Sequence, residues 1–313
     1  QYRVVATNGC GTQTSSSAAL SVTAVATISS QPANVTTCAG STVSFNVGAT
    51  GATAYQWQVN TGSGFNNISN GAPYSGATTA TLTITGTTTA MNGYQYRVVL
   101  TSCGPSLNSN TATLSVFNPV VITTQPVNRT VCEGGTATFS VVATGTILGY
   151  QWQVYNGTAW VDVQGATGTS LTFNNVAFNL NDNSYRVVIT GQCGPVTSNW
   201  GTLHLNPLPD VYLVASPSPV LAPGKTVTLT VVADISGGSV VWYKDGAVLQ
   251  GASGTTLAGL SIDDIGTYHV VYTTPAGCTS TSATLTVSGE NTSRVWVYPN
   301  PSFGQFQVRF NNT

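Results

Sequence analysis

The feature that most constrains this chain is a repeat. Tyr55-Gln56-Trp57-Gln58-Val59, Thr81-Leu82-Thr83-Ile84, Tyr94-Gln95-Tyr96-Arg97-Val98-Val99 and Cys103-Gly104-Pro105 recur in order as Tyr150-Gln151-Trp152-Gln153-Val154, Ser170-Leu171-Thr172-Phe173, Tyr185-Arg186-Val187-Val188 and Cys193-Gly194-Pro195. A looser copy follows at Val241-Trp242-Tyr243-Lys244, Tyr268-His269-Val270-Val271 and Cys278. The sequence also opens inside a copy, at Gln1-Tyr2-Arg3-Val4-Val5 and Cys10-Gly11. A period of about 90 residues is too long for a solenoid unit and points to whole small domains.

The repeat divides the chain into residues 1–24, the last strands of a truncated copy; complete copies at 25–117, 118–206 and 207–288; and a tail at 289–313. In the first segment Leu20 and Val22 alternate with polar residues, as in a half-buried strand. Gln31-Pro32 and Gln125-Pro126 open two copies, and Pro207-Leu208-Pro209 with Pro217-Ser218-Pro219 opens the third. Proline is excluded from central strands, and linkers this short and stiff predict a rod of domains in line. Within the first copy the expected strands are Val25–Ile28, Val43–Val47, Ala54–Val59, the flanks of Ile68, Thr79–Ile84, Tyr94–Thr101 and Thr111–Val116. Short alternating runs punctuated by Gly and Asn predict an all-β fold, a sandwich in each copy.

Composition narrows the function. Charged residues make up only 5% of the chain and the net charge is −1, so the clustered positive charge that a phosphate backbone demands is missing. No apolar run approaches the roughly 20 residues of a membrane-spanning helix. No signal peptide is visible. Six cysteines at repeat-equivalent places point to disulfides and an oxidising compartment. Zinc is disfavoured, since there is no Cys-x-x-Cys and His204 and His269 are far apart in sequence. No cofactor is expected.

The copies resemble immunoglobulin-like domains, the third most closely, through Trp242-Tyr243-Lys244-Asp245-Gly246 and Leu260-Ser261-Ile262-Asp263-Asp264-Ile265-Gly266-Thr267-Tyr268. The resemblance implies a core tryptophan on the third strand, matched by Trp57, Trp152 and Trp242. It also implies a corner tyrosine at the start of the sixth strand, matched by Tyr96, Tyr185 and Tyr268, whose hydroxyl ties back to the preceding turn. The chain departs from the family at the inter-sheet disulfide. Val47 with Val98, Val141 with Val187 and Val231 with Val270 stand there. Cys38 and Cys132 instead precede the second strand, and Cys103 and Cys193 follow the sixth. The expected bridges are Cys38–Cys103 and Cys132–Cys193, each closing a loop of about 60 residues worth roughly 4 kcal/mol. Ala222 occupies the position of Cys38 in the third copy, which is therefore expected to lack this staple. Cys10 and Cys278 are then expected to be unpaired in this chain, Cys278 as an exposed thiol or a bridge to a separate chain.

A second resemblance lies at the end. Tyr298-Pro299-Asn300-Pro301, Gly304 and the alternating run through Phe306 look like the opening of the C-terminal sorting domain of type IX secretion. That resemblance implies the type IX machinery as a partner, export across a Gram-negative outer membrane, and release or cell-surface attachment.

Candidate sites weigh lightly against structural roles. Asp263-Asp264 could bind calcium or act as paired acids, but the family places an aspartate in this turn. Glu133 and Glu290 lie in different copies, and no Ser, His and Asp set recurs, so catalysis is not expected. Trp160 and Phe65 hold equivalent places after the tryptophan strand and read as caps over the sheet edge or as glycan-stacking groups. Trp200 falls opposite Thr111 on the outward phase of the last strand, a contact candidate. Asn34-Val35-Thr36, Asn128-Arg129-Thr130 and Asn156-Gly157-Thr158 fit the eukaryotic N-glycosylation pattern and are chance matches if export is bacterial. The reading is a non-enzymatic stalk of a bacterial cell-surface adhesin or filament, with a secreted enzyme's stalk or a glycan-binding module as alternatives; a surface glycan or protein ligand, or self-association, are the further partner classes.

Overall fold

The computed structural model describes residues 1–22 and 24–290, and the backbone of the strands Trp296–Tyr298 and Gln307–Arg309. The protein is a series of mainly antiparallel β-sandwiches with three separate cores. These lie at Ala26 to Val116, Val120 to Leu205 and Val211 to Val287.

In the first sandwich one sheet runs, in spatial order, Val35–Cys38, Ala112–Phe117, Gln95–Thr101, Ala54–Asn60 and Phe65–Asn67, with Leu107–Asn108 also paired to Gln95–Thr101. The facing sheet is Val43–Asn46, Thr81–Ile84 and Tyr74–Ser75. A ribbon joins Thr27–Ser30 to Gly48–Thr50. The second sandwich repeats the larger sheet as Arg129–Cys132, Gly201–Asn206, Ser184–Gly191, Ile147–Tyr155 and Trp160–Asp162. The third repeats it as Val220–Leu221, Leu285–Gly289, Gly266–Thr273, Ser239–Lys244 and Ala247–Val248. The period-two pattern explains the layering. Along Gln95–Thr101, Tyr96, Val98 and Leu100 are buried and their neighbours are not.

Each core is built around a tryptophan. Trp57, Trp152 and Trp242 are fully buried. Their indole N–H groups donate to the carbonyls of Thr79, Gly168 and Gly254 at 2.9–3.0 Å. Such partners remove the cost of burying a polar tip. The valine pairs at the family's disulfide positions are all buried. A serine on the final connection repeats as well: Ser109, Ser198 and Ser282 accept from the backbone N–H of Val98, Val187 and Val270.

Two expectations of local structure need correction. The strands Val35–Cys38 and Arg129–Cys132 lie outside the expected set. They are four residues long and pair parallel to the last strand, placing Cys38 beside Phe117 and Cys132 beside Asn206. In the opening segment, Val5–Asn8 and Gly11–Thr14 form a hairpin. Leu20 and Val22, however, lie outside strands and are exposed. Alternation predicts burial only where a second sheet exists to cover the apolar face.

Candidate functional site

The cysteines do not close single sandwiches. Cys38 bridges Cys193, with Cα atoms 5.8 Å apart, and Cys132 bridges Cys278 at 5.6 Å. The expected pairs Cys38–Cys103 and Cys132–Cys193 are therefore corrected, and so is the reading of Cys278 as unpaired and exposed. Cys278 is almost wholly buried, and the third sandwich does carry half of a bridge. The physical reason is polarity along the sandwich. Register puts Cys38 at the far end of the last strand, beside Phe117, while that strand runs antiparallel to Gln95–Thr101. Cys103 follows the opposite end of Gln95–Thr101. At about 3.3 Å per residue the two are roughly 40 Å apart, against the 7 Å limit for a disulfide. Cys38 instead reaches the hairpin after the sixth strand of the next sandwich. Ala222 precedes no such partner, since Leu221 pairs with Gly289 at the end of the third sandwich remote from Cys278. Cys10 is exposed and unbridged among the described residues, and Cys103 is exposed.

Each bridge sits in a bonded junction. Phe117 accepts from the backbone N–H of Ala39 at 2.9 Å, and the Cys193 disulfide sulfur lies 3.7 Å from the same carbonyl. The next residue, Asn118, exchanges two bonds with Thr146 of the second sandwich: its N–H donates to the Thr146 hydroxyl at 3.2 Å, and its carbonyl accepts the Thr146 N–H at 3.0 Å. Thr146 also accepts from Gln192, the neighbour of Cys193. At the second junction Asn206 accepts from Glu133, and Asp210 and Asp234 exchange backbone and side-chain bonds. On the Cys278 hairpin, Thr274 and Cys278 bond reciprocally, the Thr274 hydroxyl accepting the Cys278 N–H at 3.1 Å.

The corner tyrosines differ among copies. The Tyr268 hydroxyl donates to the Asp264 carbonyl at 2.5 Å. Burial, then the Asp264 and Asp245 carboxylates, push it up to about 12. Tyr96 instead meets the Tyr74 hydroxyl at 3.5 Å and stacks on Phe45 with centroids 4.7 Å apart. Burial and then Tyr74 raise its pKa. Tyr185 packs at 5.1 Å from Phe139, and burial raises it too, opposed by a hydrogen bond with the Asn183 side chain. The third copy has Leu229 where Phe45 and Phe139 stand. In the first two copies the corner is fastened by an asparagine: Asn92 accepts the Val116 N–H at 2.9 Å and Asn181 the Leu205 N–H at 2.7 Å.

The acidic pair has a structural use. Asp264 accepts from the Ser261 N–H and hydroxyl, and Ser261 accepts from Asp263 N–H, a capping box on the short helix Ile262–Asp264. No cluster of three or more His, Cys, Asp or Glu residues is present among the described residues. His204 and Asp182 form an exposed pair at 2.8 Å that sequence spacing did not reveal. The glycosylation-pattern asparagines also hold backbone: Asn34 accepts from Thr113, Asn128 from Thr202, and Asn156 from Thr158 and Ala159. The sorting motif Pro299, Asn300, Pro301, Gly304 and Phe306, and the side chain of Tyr298, lie outside the described residues.

On the outward face of the larger sheet, one relay occurs twice. In the first sandwich the Arg97 Nε donates to the Gln58 Oε1 at 2.8 Å, and the Gln58 Nε2 to the Asn67 Oδ1 at 2.9 Å. The guanidinium lies over Phe65 at 4.1 Å. In the second, Arg186 donates to Gln153 at 2.9 Å, Gln153 to Asp162 at 2.9 Å, and the guanidinium covers Trp160 at 4.3 Å. Only the second sandwich adds Tyr155 and Trp200. Their ring centroids lie 5.4 Å and 6.3 Å from that of Trp160. In the third, Tyr243 and His269 stack at 4.6 Å on the corresponding strands.

Tryptophan-centred sandwiches in which a short early strand pairs parallel with the last strand define a tandem immunoglobulin-like fold. Comparison with solved structures agrees on the fold. The titin I-band fragment I67–I69 and an E-to-A mutated variant of this three-domain segment each superpose with a TM-score of 0.54 at 16% identity. They cover 86% and 85% of this chain and 100% and 98% of theirs. Residues 121–207, the second sandwich, match a family described as a domain of unknown function, DUF8696. Endoglucanase C of Cellulomonas fimi is 44% identical over 79 residues, a quarter (25%) of this chain. The chain spans 7% of the length of that relative. Disulfides and this relative are consistent with an extracellular protein.

Proposed function

We propose that residues 25–289 form a non-enzymatic, rod-like stalk of an extracellular adhesin or filament, whose domains are covalently coupled. The observation that carries this reading is that both disulfides join consecutive sandwiches. The bridges offer a shortcut for tension. A load entering at residue 25 passes along 25–38, crosses to Cys193, returns along 132–193, crosses to Cys278 and leaves along 278–289. Residues 39–131 and 194–277 are off that path. At about 3.4 Å per extended residue, the shortcut limits the stretched length to about 300 Å, against about 900 Å without bridges. A stalk that must hold a surface at fixed reach benefits from such a limit.

Single-molecule stretching between residues 25 and 289 tests this. The expected result is a threefold gain in extensible length on adding reductant. Equal lengths with and without reductant would sink the coupled-stalk reading. The tail supports an export route by type IX secretion through its resemblance at Tyr298 to Phe306. Deleting the type IX translocon of the source cell should then hold the protein in the periplasm, and unchanged release would refute that half. The endoglucanase match favours one second reading, a stalk within a secreted polysaccharide-degrading enzyme. A catalytic domain encoded in the same gene would decide for it; further sandwiches would decide against it.

A further inference from the structure

We infer that the outward face of the second sandwich is a binding site for a neutral, β-linked glycan, formed by Tyr155, Trp160 and Trp200. The inference is independent of the stalk reading.

The argument begins with the internal comparison. The first sandwich shows what this sheet needs for itself: one arginine, one glutamine, one amide and a single ring beneath the guanidinium. The second sandwich keeps that relay bond for bond. It then enlarges Phe65 to Trp160 and adds two rings where the first has Asn60 and Thr111. Strand register confirms the equivalence. Tyr155 pairs with Trp160 as Asn60 pairs with Phe65. Asn199 and Asn110, immediately before Trp200 and Thr111, each donate to the glutamine that opens their copy. The added rings are therefore surplus to the scaffold.

The rings are also held ready. Arg186 packs over Trp160 and is itself tied through Gln153 to Asp162. Trp160 is half-buried by these contacts, while Tyr155 remains 41% and Trp200 61% exposed. A large aromatic kept in water at a fixed position offers a flat apolar surface with little ordering cost on binding.

The chemistry of the surroundings selects the ligand. The charge of Arg186 is balanced within the relay by Asp162, so the face asks for no net charge. Ser184 and Thr202 hydroxyls, 3.1 Å apart, stand on the strand that pairs with that of Tyr155 and on the strand that Trp200 immediately precedes. Pyranose rings fit both features: their C–H faces stack on aromatics and their rims exchange hydrogen bonds. Three rings in succession match an extended chain, which β-linkage provides; a coiled α-linked chain turns its faces away. The ring planes are tilted by 50° and 44°, so successive sugars would meet them at different angles, as a twisting chain does.

Affinity electrophoresis of the full chain tests this, with hydroxyethylcellulose, soluble β-xylan and amylose as the probes. Retardation is expected in at least one β-linked polymer and not in amylose. Trp200→Ala should weaken it at least tenfold, while Phe65→Ala, which removes the first sandwich's counterpart of Trp160, should leave it unchanged. Circular dichroism should show both variants folded; Trp200, being exposed, provides the variant that cannot fail for want of packing, and Tyr155→Ala provides a second. No retardation in either β-linked polymer, or equal retardation of Trp200→Ala, would overturn the inference. Sedimentation showing a dimer that Trp200→Ala abolishes, without glycan binding, would assign the face to a second copy instead and equally overturn it.

Discussion

The middle of each sandwich and the junction between sandwiches are stabilised by opposite means. Inside, the position where the family resemblance implies a disulfide holds a valine pair, Val141 with Val187 in the second copy, packed near a buried tryptophan. At the junction, where domains of this kind usually meet through a short peptide, a disulfide stands beside hydrogen bonds exchanged between Asn118 and Thr146. The contrast teaches that covalent strength has been placed between domains, where hydrophobic burial is scarce. A 90-residue sandwich can bury enough apolar surface to stand alone. A junction of a few residues cannot.

The largest expected effect bears on the junction. The bridges close loops with sequence separations of 155 and 146 residues, for which chain entropy gives about 5 kcal/mol each. Reduction should therefore lower the unfolding midpoint of the array, yet leave an isolated second sandwich unaffected, because both its cysteines pair outside it. Peptide mapping without reductant should recover Cys38 with Cys193 and Cys132 with Cys278. Recovery of Cys38 with Cys103 would break the comparison.

Next comes the interior. Trp152→Ala should cost about 3–5 kcal/mol, since it leaves a cavity and orphans the Gly168 carbonyl. Denaturant melts of the second sandwich would register this with the disulfides intact. Restoring the family's covalent link, Val141→Cys with Val187→Cys, should add roughly 2–4 kcal/mol if the geometry accepts it. A loss instead would show that the valine pair is packed too tightly for sulfur.

The smallest effects fall on the corners. Asn181→Ala should destabilise the second sandwich by about 1 kcal/mol and Tyr268→Phe the third by a similar amount, each removing one hydrogen bond. Tyr268→Phe should also change the response to alkali. Because its folded pKa is raised to about 12 from 10.0, the neutral hydroxyl is favoured in the fold. Its contribution is complete below pH 10 and is lost as pH rises through the window to 12. The variant should lose less stability across that window, as thermal melts in this pH range would reveal.

Much of this was readable from residues alone. Alternation along Tyr96 to Leu100 and the recurring tryptophans specify the sandwich, because a strand's period of two and a large indole's need for burial are local facts. The aromatic surplus of the second copy was half visible: Trp160 and Trp200 stood out, but their convergence with Tyr155 depends on which strands are neighbours. The relay through Gln153 was invisible for the same reason, and so was the His204–Asp182 pair.

The cysteines mark where sequence stops and tertiary structure begins. Their number and repeated spacing point to bridges and to an oxidising compartment. Which sulfurs meet was decided by the four-residue strands Val35–Cys38 and Arg129–Cys132, too short to announce themselves by pattern. By pairing parallel to the last strand they carry Cys38 and Cys132 to the end of the sandwich remote from Cys103 and Cys193. A bond that spans only about 6 Å between Cα atoms cannot cross a sandwich lengthwise, so each of the two bridges joins one domain to the next.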